Sequence, residues 1–447
     1  MGMSKRPPHG VGNLCPFCVA LHRMFFRQRS VPPPCVWILA CVAALVGEVG
    51  LAQDDRIVVP VEGEPFVGDL IEVDEDWGLK FETDTGPRSL PAADLVRWGV
   101  PAELGDDSLI VLAGGGVLVG EVRAIESERL MVDSLLFGEL RLPLSRLRGV
   151  VFRPPTSRLE RDRLLDQVAQ STGARDQLIL ENGDVVEGLL TGGGRPAVQG
   201  PLAPHDMAEL KALRMQLDAG ATEIPITRIT AVIFNPSLVE VPPARGLRAW
   251  VGLEQDGLLV VERIASQNGL TTLTLPGGVR LTTDDEGFRE SVQFLQPLEG
   301  NVVYLSDLSP LGYRHIPYLT REWGYGQDRN VLGGRLRAGG RVYLKGLGMH
   351  STSRLAFRLD GKRKRFEAAL ALDDAAGRRG SVVYRVYGAD AAGQWQPLYE
   401  SPIIRGGDPP LPISVELNGS RGLALIVEYA DRGDILDHAN WLDARLE

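Results

Sequence analysis

The chain has 447 residues, with 58 Asp and Glu against 48 Lys and Arg and a formal net charge of −10 at pH 7. This acidic balance repels polyanions at long range, so it argues against nucleic acid or an anionic membrane surface as a partner. The length is sufficient for two or more hydrophobic cores.

Residues 1–52 have the features of a secretory signal peptide. Three arginines precede an apolar run at residues 36–46, and small residues occupy positions −3 and −1 of a cleavage site after Ala52. This order predicts cleavage near Ala52 and a secreted, periplasmic or cell-surface protein without a stable membrane span. The alternative is a membrane anchor that is not cleaved. Either Met1 or Met24 can be the true start of translation.

All four cysteines lie inside this leader, at Cys15, Cys18, Cys35 and Cys41. The spacing of the first two is typical of metal or redox sites, but no second pair completes such a site. Accidental cysteines in a removed segment are the favoured interpretation. The mature chain is therefore expected to have no disulfide and to depend on buried cores for its stability.

From residue 53 to residue 297 the pattern is that of short β-strands, with apolar and polar residues alternating between Gly, Asn and Asp turns. The pattern divides into two β units at 53–153, a linker helix at 154–175, a third unit at 176–240 and a degenerate fourth unit at 241–297. The helix is indicated by Leu159, Leu164, Leu165 and Val168 on one face, with Ser157 or Thr156 as its cap.

The first three units share a frame of two glycines followed by a closing apolar-Pro-apolar step. The glycine pairs and prolines are Gly63, Gly68 and Pro91; Gly116, Gly120 and Pro143; and Gly183, Gly188 and Pro225. The first glycine is expected to make a hairpin turn, the second to mark a bulge or a close approach of backbones, and the proline to start the last strand. Because each unit is small, neighbouring copies are expected to pack together.

Three segments characterise the last third of the chain. They are Tyr-Leu-Ser-Asp-Leu at 304–308, Lys-Gly-Leu-Gly-Met-His-Ser at 345–351 and Asp-His-Ala-Asn-Trp-Leu-Asp-Ala-Arg at 437–445. With the acidic pair at 373–374 between them, they resemble the NPCBM family, the novel putative carbohydrate-binding module. The resemblance implies a galactose-binding-like jelly-roll β-sandwich at 298–447. The whole chain is then mainly β, with tandem small antiparallel units followed by this sandwich.

A sugar is held by aromatic faces against its C–H side and by polar side chains on its hydroxyls. Nine candidate ligand-binding residues follow: Trp323, Tyr325, Trp395 and Trp441 as platforms, and His350, Ser351, Asp437, His438 and Asn440 as polar partners. Two alternatives stay open at this point. Trp441 is equally compatible with a core anchor, and the two histidines with a structural hydrogen bond between strands.

Asp373 and Asp374 are the candidate metal ligands, because adjacent carboxylates can coordinate calcium, although a solvated turn is favoured. Asp443 and Arg445 are expected to form an ion pair. No other cofactor is indicated.

The sequence contains no Gly-x-Ser-x-Gly elbow, His-Glu-x-x-His pair or phosphate-binding glycine loop. The favoured hypothesis is a secreted, non-catalytic carbohydrate-binding protein whose partner is a glycan or glycoconjugate and whose β units act as spacer or scaffold. The alternatives are an extracellular scaffold that binds other proteins and a glycoside-active enzyme with an unrecognised site.

Overall fold

The structure is a computed structural model that describes residues 56–194 and 210–447. The predicted signal peptide and all four cysteines lie outside the described residues. Within the described residues, no helix is long and apolar enough to cross a membrane.

Four β units follow one another along the chain. Unit 1 comprises β1 (Ile57–Pro60), β2 (Phe66–Val67), β3 (Asp69–Val73), β4 (Gly78–Glu82), β5 (Arg88–Pro91) and β6 (Leu95–Gly99). Unit 2 comprises β7 (Leu109–Leu112), β8 (Gly116–Val119), β9 (Glu121–Ile125), β10 (Arg129–Ser134), β11 (Gly138–Pro143) and β12 (Leu147–Val151). In each unit the strands are antiparallel, and the last strand, which is buried, pairs with the first strand of the same unit.

Units 3 and 4 repeat this plan with variations. Unit 3 comprises β13 (Asp176–Leu180), β14 (Val185–Gly193), β15 (Ala212–Leu217), β16 (Gly220–Pro225) and β17 (Ile229–Ile233). Unit 4 comprises β18 (Ala249–Leu253), β19 (Gly257–Val261), β20 (Arg263–Gln267), β21 (Leu270–Thr274), β22 (Arg280–Asp284), helix α2 (Asp285–Ser291) and β23 (Val292–Pro297). Helix α1 (Arg158–Ala169) lies between units 2 and 3, and the side chain of Ser157 caps it by accepting from the Glu160 N–H.

The shared glycines have the geometry that the frame predicts. The first glycine of each frame has a positive φ of 87–98° (Gly63, Gly116 and Gly183), a region that favours glycine in tight turns. At the second glycine two strands come close. A Cβ on Gly120 would lie only 2.6 Å from the Val132 side chain.

The prediction for the three prolines is wrong. Pro91, Pro143 and Pro225 each end a strand and cap a one-turn 3-10 helix, and the last strand of the unit starts only after that turn. Their φ angles of −67°, −64° and −58° suit the extended residue that precedes a helical turn.

The units are joined edge to edge by antiparallel pairing. The last strand of unit 1, β6, pairs with the last strand of unit 4, β23. Strand β19 of unit 4 pairs with β8 of unit 2, and β12 of unit 2 pairs with β17 of unit 3. The spatial order of the units is therefore 1-4-2-3, and one continuous hydrophobic core runs through all four.

The C-terminal region is a β-sandwich, as the resemblance implies. One sheet contains β24 (Val303–Tyr304), β26 (Gly326–Gln327), β29 (Gly346–His350), β31 (Arg365–Leu372), β35 (Leu411–Glu416) and β38 (His438–Leu446). The other contains β25 (Gly312–His315), β30 (Ser353–Arg358), β32 (Ser381–Ala389), β33 (Trp395–Glu400), β34 (Ile404–Arg405) and β36 (Gly422–Tyr429). A hairpin of β27 (Leu336–Ala338) and β28 (Arg341–Tyr343) and the short β37 (Asp431–Asp434) complete the region.

The sandwich packs directly on the β units. The Tyr304 hydroxyl accepts a hydrogen bond from Gln296 and donates one to the Val96 carbonyl. Arg337 of the sandwich, which is buried, forms ion pairs with Glu103 and with Asp162 of helix α1. The charged and apolar contacts together make the two regions one compact body.

Candidate functional site

The candidate site is built on strands β29 and β38, which pair so that His350 lies directly opposite His438. Side chains alternate between the two faces of a strand. Met349 and Trp441 therefore point into the sandwich core, whereas the two histidines lie on the outer face of the sheet. The strand register alone brings two imidazoles side by side.

Glycine explains why a loop can cover this face. A Cβ on Gly348 would lie 2.5 Å from the Arg329 carbonyl oxygen and 2.5 Å from the Asn330 Cα. The absence of a side chain on Gly348 therefore lets the segment after β25 lie flat on β29. The same segment carries Trp323 to a position above the histidines.

Trp323 and the histidines form a stacked group that we call the histidine cluster, made of His315, Trp323, His350 and His438. The Trp323 ring is parallel to the His350 ring, with centroids 4.7 Å apart and an interplanar angle of 2°. His315 meets His350 edge-on at 5.8 Å, and its Nδ1 accepts the backbone N–H of Trp323 at 3.2 Å. The Arg321 guanidinium covers the Trp323 ring at 3.9 Å.

Two ring nitrogens of this cluster, Nδ1 of His350 and Nδ1 of His438, are buried and have no hydrogen-bond partner among the described residues. The neighbouring Asp437 points towards the other sheet instead. Its Oδ1 accepts the Ser381 N–H at 2.9 Å, and the Ser351 hydroxyl lies beside its carboxyl group. A buried polar group without a partner costs about 1–3 kcal/mol, so the two imidazole nitrogens call for an explanation.

Burial sets the protonation states of these groups. Burial, with His438 beside it, lowers the pKa of His350 to about 4. Burial also lowers the pKa of His438 and raises the pKa of Asp437 to about 6. At neutral pH both imidazoles are therefore neutral, and each offers one donor and one acceptor.

The backbone around the cluster is strained. Thr352, two residues after His350, has a φ of 60°, and Leu436, two residues before His438, has a φ of 55°. Left-handed conformations are unfavourable for β-branched and bulky residues, and such strain is concentrated at functional sites.

The structure brings three of the nine candidate ligand residues together in the cluster: Trp323, His350 and His438. Ser351 and Asp437 are next to the histidines in the chain, but their side chains lie beside each other, and Asp437 accepts from Ser381. Tyr325 lies next to the cluster and supports the loop by packing on Tyr313, with ring centroids 5.0 Å apart.

The remaining three candidates lie outside the histidine cluster. Trp441 has no exposed surface and packs edge-on against Tyr384 in the core, in the position of the core anchor that the sequence left as an alternative. Asn440 is also fully buried and donates to Asp373 at 2.9 Å. Trp395 is 45% exposed but packs over Gly422 at the far end of β30 and β36, about 17 Å from the cluster at ~3.3 Å per residue.

The acidic pair has a structural role. Asp373 accepts hydrogen bonds from the Ala375 and Arg337 amides, and Asp374 accepts from the amides of Gly339 and Gly340. These bonds fix the hairpin β27–β28 against the sandwich. Within the described residues, no group of three or more His, Cys, Asp or Glu side chains is arranged to hold a metal ion.

Asp443 and Arg445 do not pair with each other. Asp443 binds Arg97 of unit 1 at 3.1 Å, and Arg445 binds Glu447 at 2.8 Å. Asp443 thus pairs with a residue of unit 1, whereas Arg445 pairs with the last residue of the chain.

Sequence reasoning missed His315 and Arg321, which complete the cluster. It also missed an exposed apolar rim beside them, where Tyr318 is 66% and Leu319 82% exposed. The segment from 311 to 328 matches no diagnostic motif. Its aromatic and histidine content was the one available signal.

Comparison with known proteins agrees with this architecture. The model of the NPCBM/NEW2 domain matches residues 301–447. A protein of Renibacterium salmoninarum named as an endo-alpha-N-acetylgalactosaminidase is 26% identical over 223 residues, which are 48% of this chain and 14% of that protein. The alpha-1,3-galactosidase B of Akkermansia muciniphila is 32% identical over 120 residues, which are 26% of this chain and 14% of that enzyme. The chain thus spans about one seventh of the length of these relatives.

Among solved structures, the CBM51 module of Clostridium perfringens GH95 in complex with methyl-galactose aligns over 33% of this chain and 100% of that module. The identity is 22% and the TM-score 0.29. The family match and the observed sandwich together identify the C-terminal third. Residues 301–447 form an NPCBM domain.

Proposed function

We propose that the protein is a secreted, non-catalytic carbohydrate-binding protein whose sandwich holds a glycan at the histidine cluster. The supporting observation is the pair of buried, unpartnered imidazole nitrogens beneath Trp323, Nδ1 of His350 and Nδ1 of His438. Sugar hydroxyls both donate and accept, so two hydroxyls can satisfy the two neutral imidazoles. The β units serve as the scaffold on which the sandwich packs.

Recovery of a mature chain that begins at Gln53, after cleavage of the predicted signal peptide, would support secretion.

Trp323 supplies the apolar half of the proposed site. Its side chain is half-buried. Among the described contacts, only Arg321 covers the face of the ring that points away from His350. An exposed cation–π contact is worth about 0.5–1 kcal/mol, so the C–H face of a sugar can replace the guanidinium at small cost. The exposed Tyr318 extends the apolar surface beyond the first sugar.

We propose a neutral sugar of the galactose type as the first ligand to test. The two histidines are uncharged at neutral pH, because burial lowers their pKa values, and they give no electrostatic preference for an acidic sugar. Both curated relatives are named for hydrolysis of galactose or N-acetylgalactosamine linkages.

The test is a glycan array followed by calorimetric titration with the full chain, since the sandwich packs on the β units. We expect Trp323→Ala and His350→Ala to weaken binding of galactose-type glycans about tenfold or more, because each removes a direct contact. Trp395→Ala is the matched control, an exposed tryptophan at the other end of the sandwich, and is expected to bind like the wild type.

Thermal unfolding of each variant establishes that it is folded. Equal loss of binding in Trp395→Ala would contradict the assignment of the site. A folded wild-type protein that binds no glycan would contradict the proposed function and favour the protein-scaffold hypothesis.

A further inference from the structure

A second concave surface lies between β unit 4 and the sandwich. This groove has a volume of about 570 Å³, within the roughly 300–1,000 Å³ that is typical of small-molecule sites. The groove includes Lys345, which immediately precedes β29, whereas His350 is the last residue of that strand. The two ends are about 13 Å apart at ~3.3 Å per residue, so one monosaccharide cannot fill both sites.

The β unit supplies an aromatic and apolar wall. Trp250 of β18 is half-buried and lines the groove beside Leu258 and Val260 of β19. Trp250 lies directly opposite Val260 in the strand register, which fixes its ring on the outer face of the sheet.

The sandwich and helix α1 supply a polar wall whose charges are mostly paired. Lys345 donates to Asp307 at 2.6 Å and to Asp328 at 3.0 Å. Arg329 forms a two-pronged ion pair with Asp166 of helix α1. These pairs hold the wall in one arrangement without a ligand.

Arg335 is different. Its side chain is only 12% exposed, yet no side-chain hydrogen bond of this guanidinium is present among the described residues. Its nearest carboxylate oxygen is Oδ1 of Asp162, at 3.7 Å. Both oxygens of Asp162 already accept from Arg337, and Oδ2 also accepts the backbone N–H of Arg335 itself. A guanidinium has five donors, so this almost buried cation, which lines the groove, has donors left for a ligand.

The charge of the lining decides which kind of ligand fits. Four cations (Arg248, Arg329, Arg335 and Lys345) and four carboxylates (Asp166, Glu299, Asp307 and Asp328) line the groove. A balanced set of donors and acceptors opposite an aromatic wall favours a neutral, polyhydroxylated ligand over an anion.

We propose that this groove is a second carbohydrate site, which binds a neutral oligosaccharide with a sugar face on Trp250 and hydroxyl oxygens on Arg335. The site needs both regions, so it exists only in the full chain. It shares no residue with the histidine cluster and does not depend on the function proposed there.

The experiment measures binding of neutral galactose- and N-acetylgalactosamine-terminated oligosaccharides to the full chain in a His350→Ala background. We expect binding to remain in that background and to fall about tenfold or more on adding Trp250→Ala. Gln170→Trp, which fills the groove from an exposed position without removing an ion pair, is expected to have the same effect. Gln167→Trp, exposed on the same helix but not part of the lining, is the matched control and should bind normally.

The outcomes separate the two proposals. Binding that His350→Ala abolishes entirely, or that survives both Trp250→Ala and Gln170→Trp, overturns the groove as a site. Binding that is insensitive to His350→Ala but lost in the two groove variants supports the groove and contradicts the histidine cluster.

Discussion

The β units and the sandwich use buried polar groups in different ways. In the units, Asp256 is buried and both its partners are structural, since it accepts from Ser134 and from the Leu136 amide. In the sandwich, His350 and His438 are also buried, but Nδ1 of each has no partner among the described residues. Of the buried side-chain atoms without a partner in the described residues, two belong to the units and seven to the sandwich. The two regions therefore differ in how completely their buried polar side chains are paired.

The largest expected effect concerns the ion pairs that join the two regions. Asp162→Ala removes one of the two carboxylate partners of the buried Arg337 and the nearest carboxylate of Arg335. Glu103 still pairs with Arg337, but Arg335 is left almost buried without its nearest carboxylate. Breaking a buried pair on one side costs about 3–5 kcal/mol. Urea unfolding of the full chain should show this loss in a single transition, with both regions unfolding together.

The control for this prediction is Glu139→Ala, which breaks the exposed ion pair with Arg141. Exposed pairs contribute about 0–1 kcal/mol, so this variant should be nearly as stable as the wild type. Two separate unfolding transitions in Asp162→Ala would show that the regions are independent and would contradict the description of one body.

An intermediate effect is expected from Asp437→Asn, and it depends on pH. Burial raises the pKa of Asp437 to about 6, above the ~3.9 of an unfolded chain. Its contribution to stability is therefore fully present below about pH 4 and is lost as the pH rises through about 6. The asparagine does not ionise, so the stability of the variant relative to the wild type should improve by on the order of 2 kcal/mol from pH 4 to pH 7.5.

Urea unfolding at the two pH values measures this change. His350 has the opposite sign: its lowered pKa gives a contribution that is present above about pH 6.5 and is lost as the pH falls through about 4. That contribution occurs in both proteins and cancels in the difference. An equal difference between the proteins at pH 4 and pH 7.5 would mean that Asp437 does not titrate as described.

The smallest effect compares two cation–π contacts of nearly equal geometry. Arg321 lies 3.9 Å from the Trp323 ring in the sandwich, and Arg88 lies 4.0 Å from the Phe66 ring in unit 1. Each substitution to alanine should cost about 0.5–1 kcal/mol in thermal or urea unfolding. Arg321→Ala should bind glycan as well as the wild type or more tightly, because the sugar no longer has to displace the guanidinium. Arg88→Ala should leave binding unchanged, and a tenfold loss in Arg321→Ala would instead make Arg321 a ligand contact.

Local sequence pattern was sufficient for the turns and the sandwich. Gly63, Gly116 and Gly183 indicate the hairpins because positive φ angles favour glycine, and the NPCBM motifs indicate the fold of the last third. The same kind of local argument was wrong for Pro91, Pro143 and Pro225, because the φ angle of proline suits both a strand end and a strand start.

Long-range partners could not be predicted from spacing. Asp443 pairs with Arg97, a residue 346 positions away, and not with its near neighbour Arg445. Trp441 and Trp323 have the same side chain, but the strand register places Trp441 in the core, whereas the loop after β25 places Trp323 over the histidines. The groove beside Trp250 could not be predicted from the sequence either, because its two walls come from distant parts of the chain.

The spatial order of the β units has a consequence for how the chain reaches this structure. Strand β6 pairs with β23, about 200 residues later, and β8 pairs with β19, about 140 residues later. During synthesis, the edges of units 1 and 2 therefore stay open until unit 4 emerges. Open strand edges can pair with other chains. Long-range strand pairings also form slowly, because a long loop must close first. We expect slow refolding with concentration-dependent aggregation, and a chain truncated before unit 4 should aggregate most.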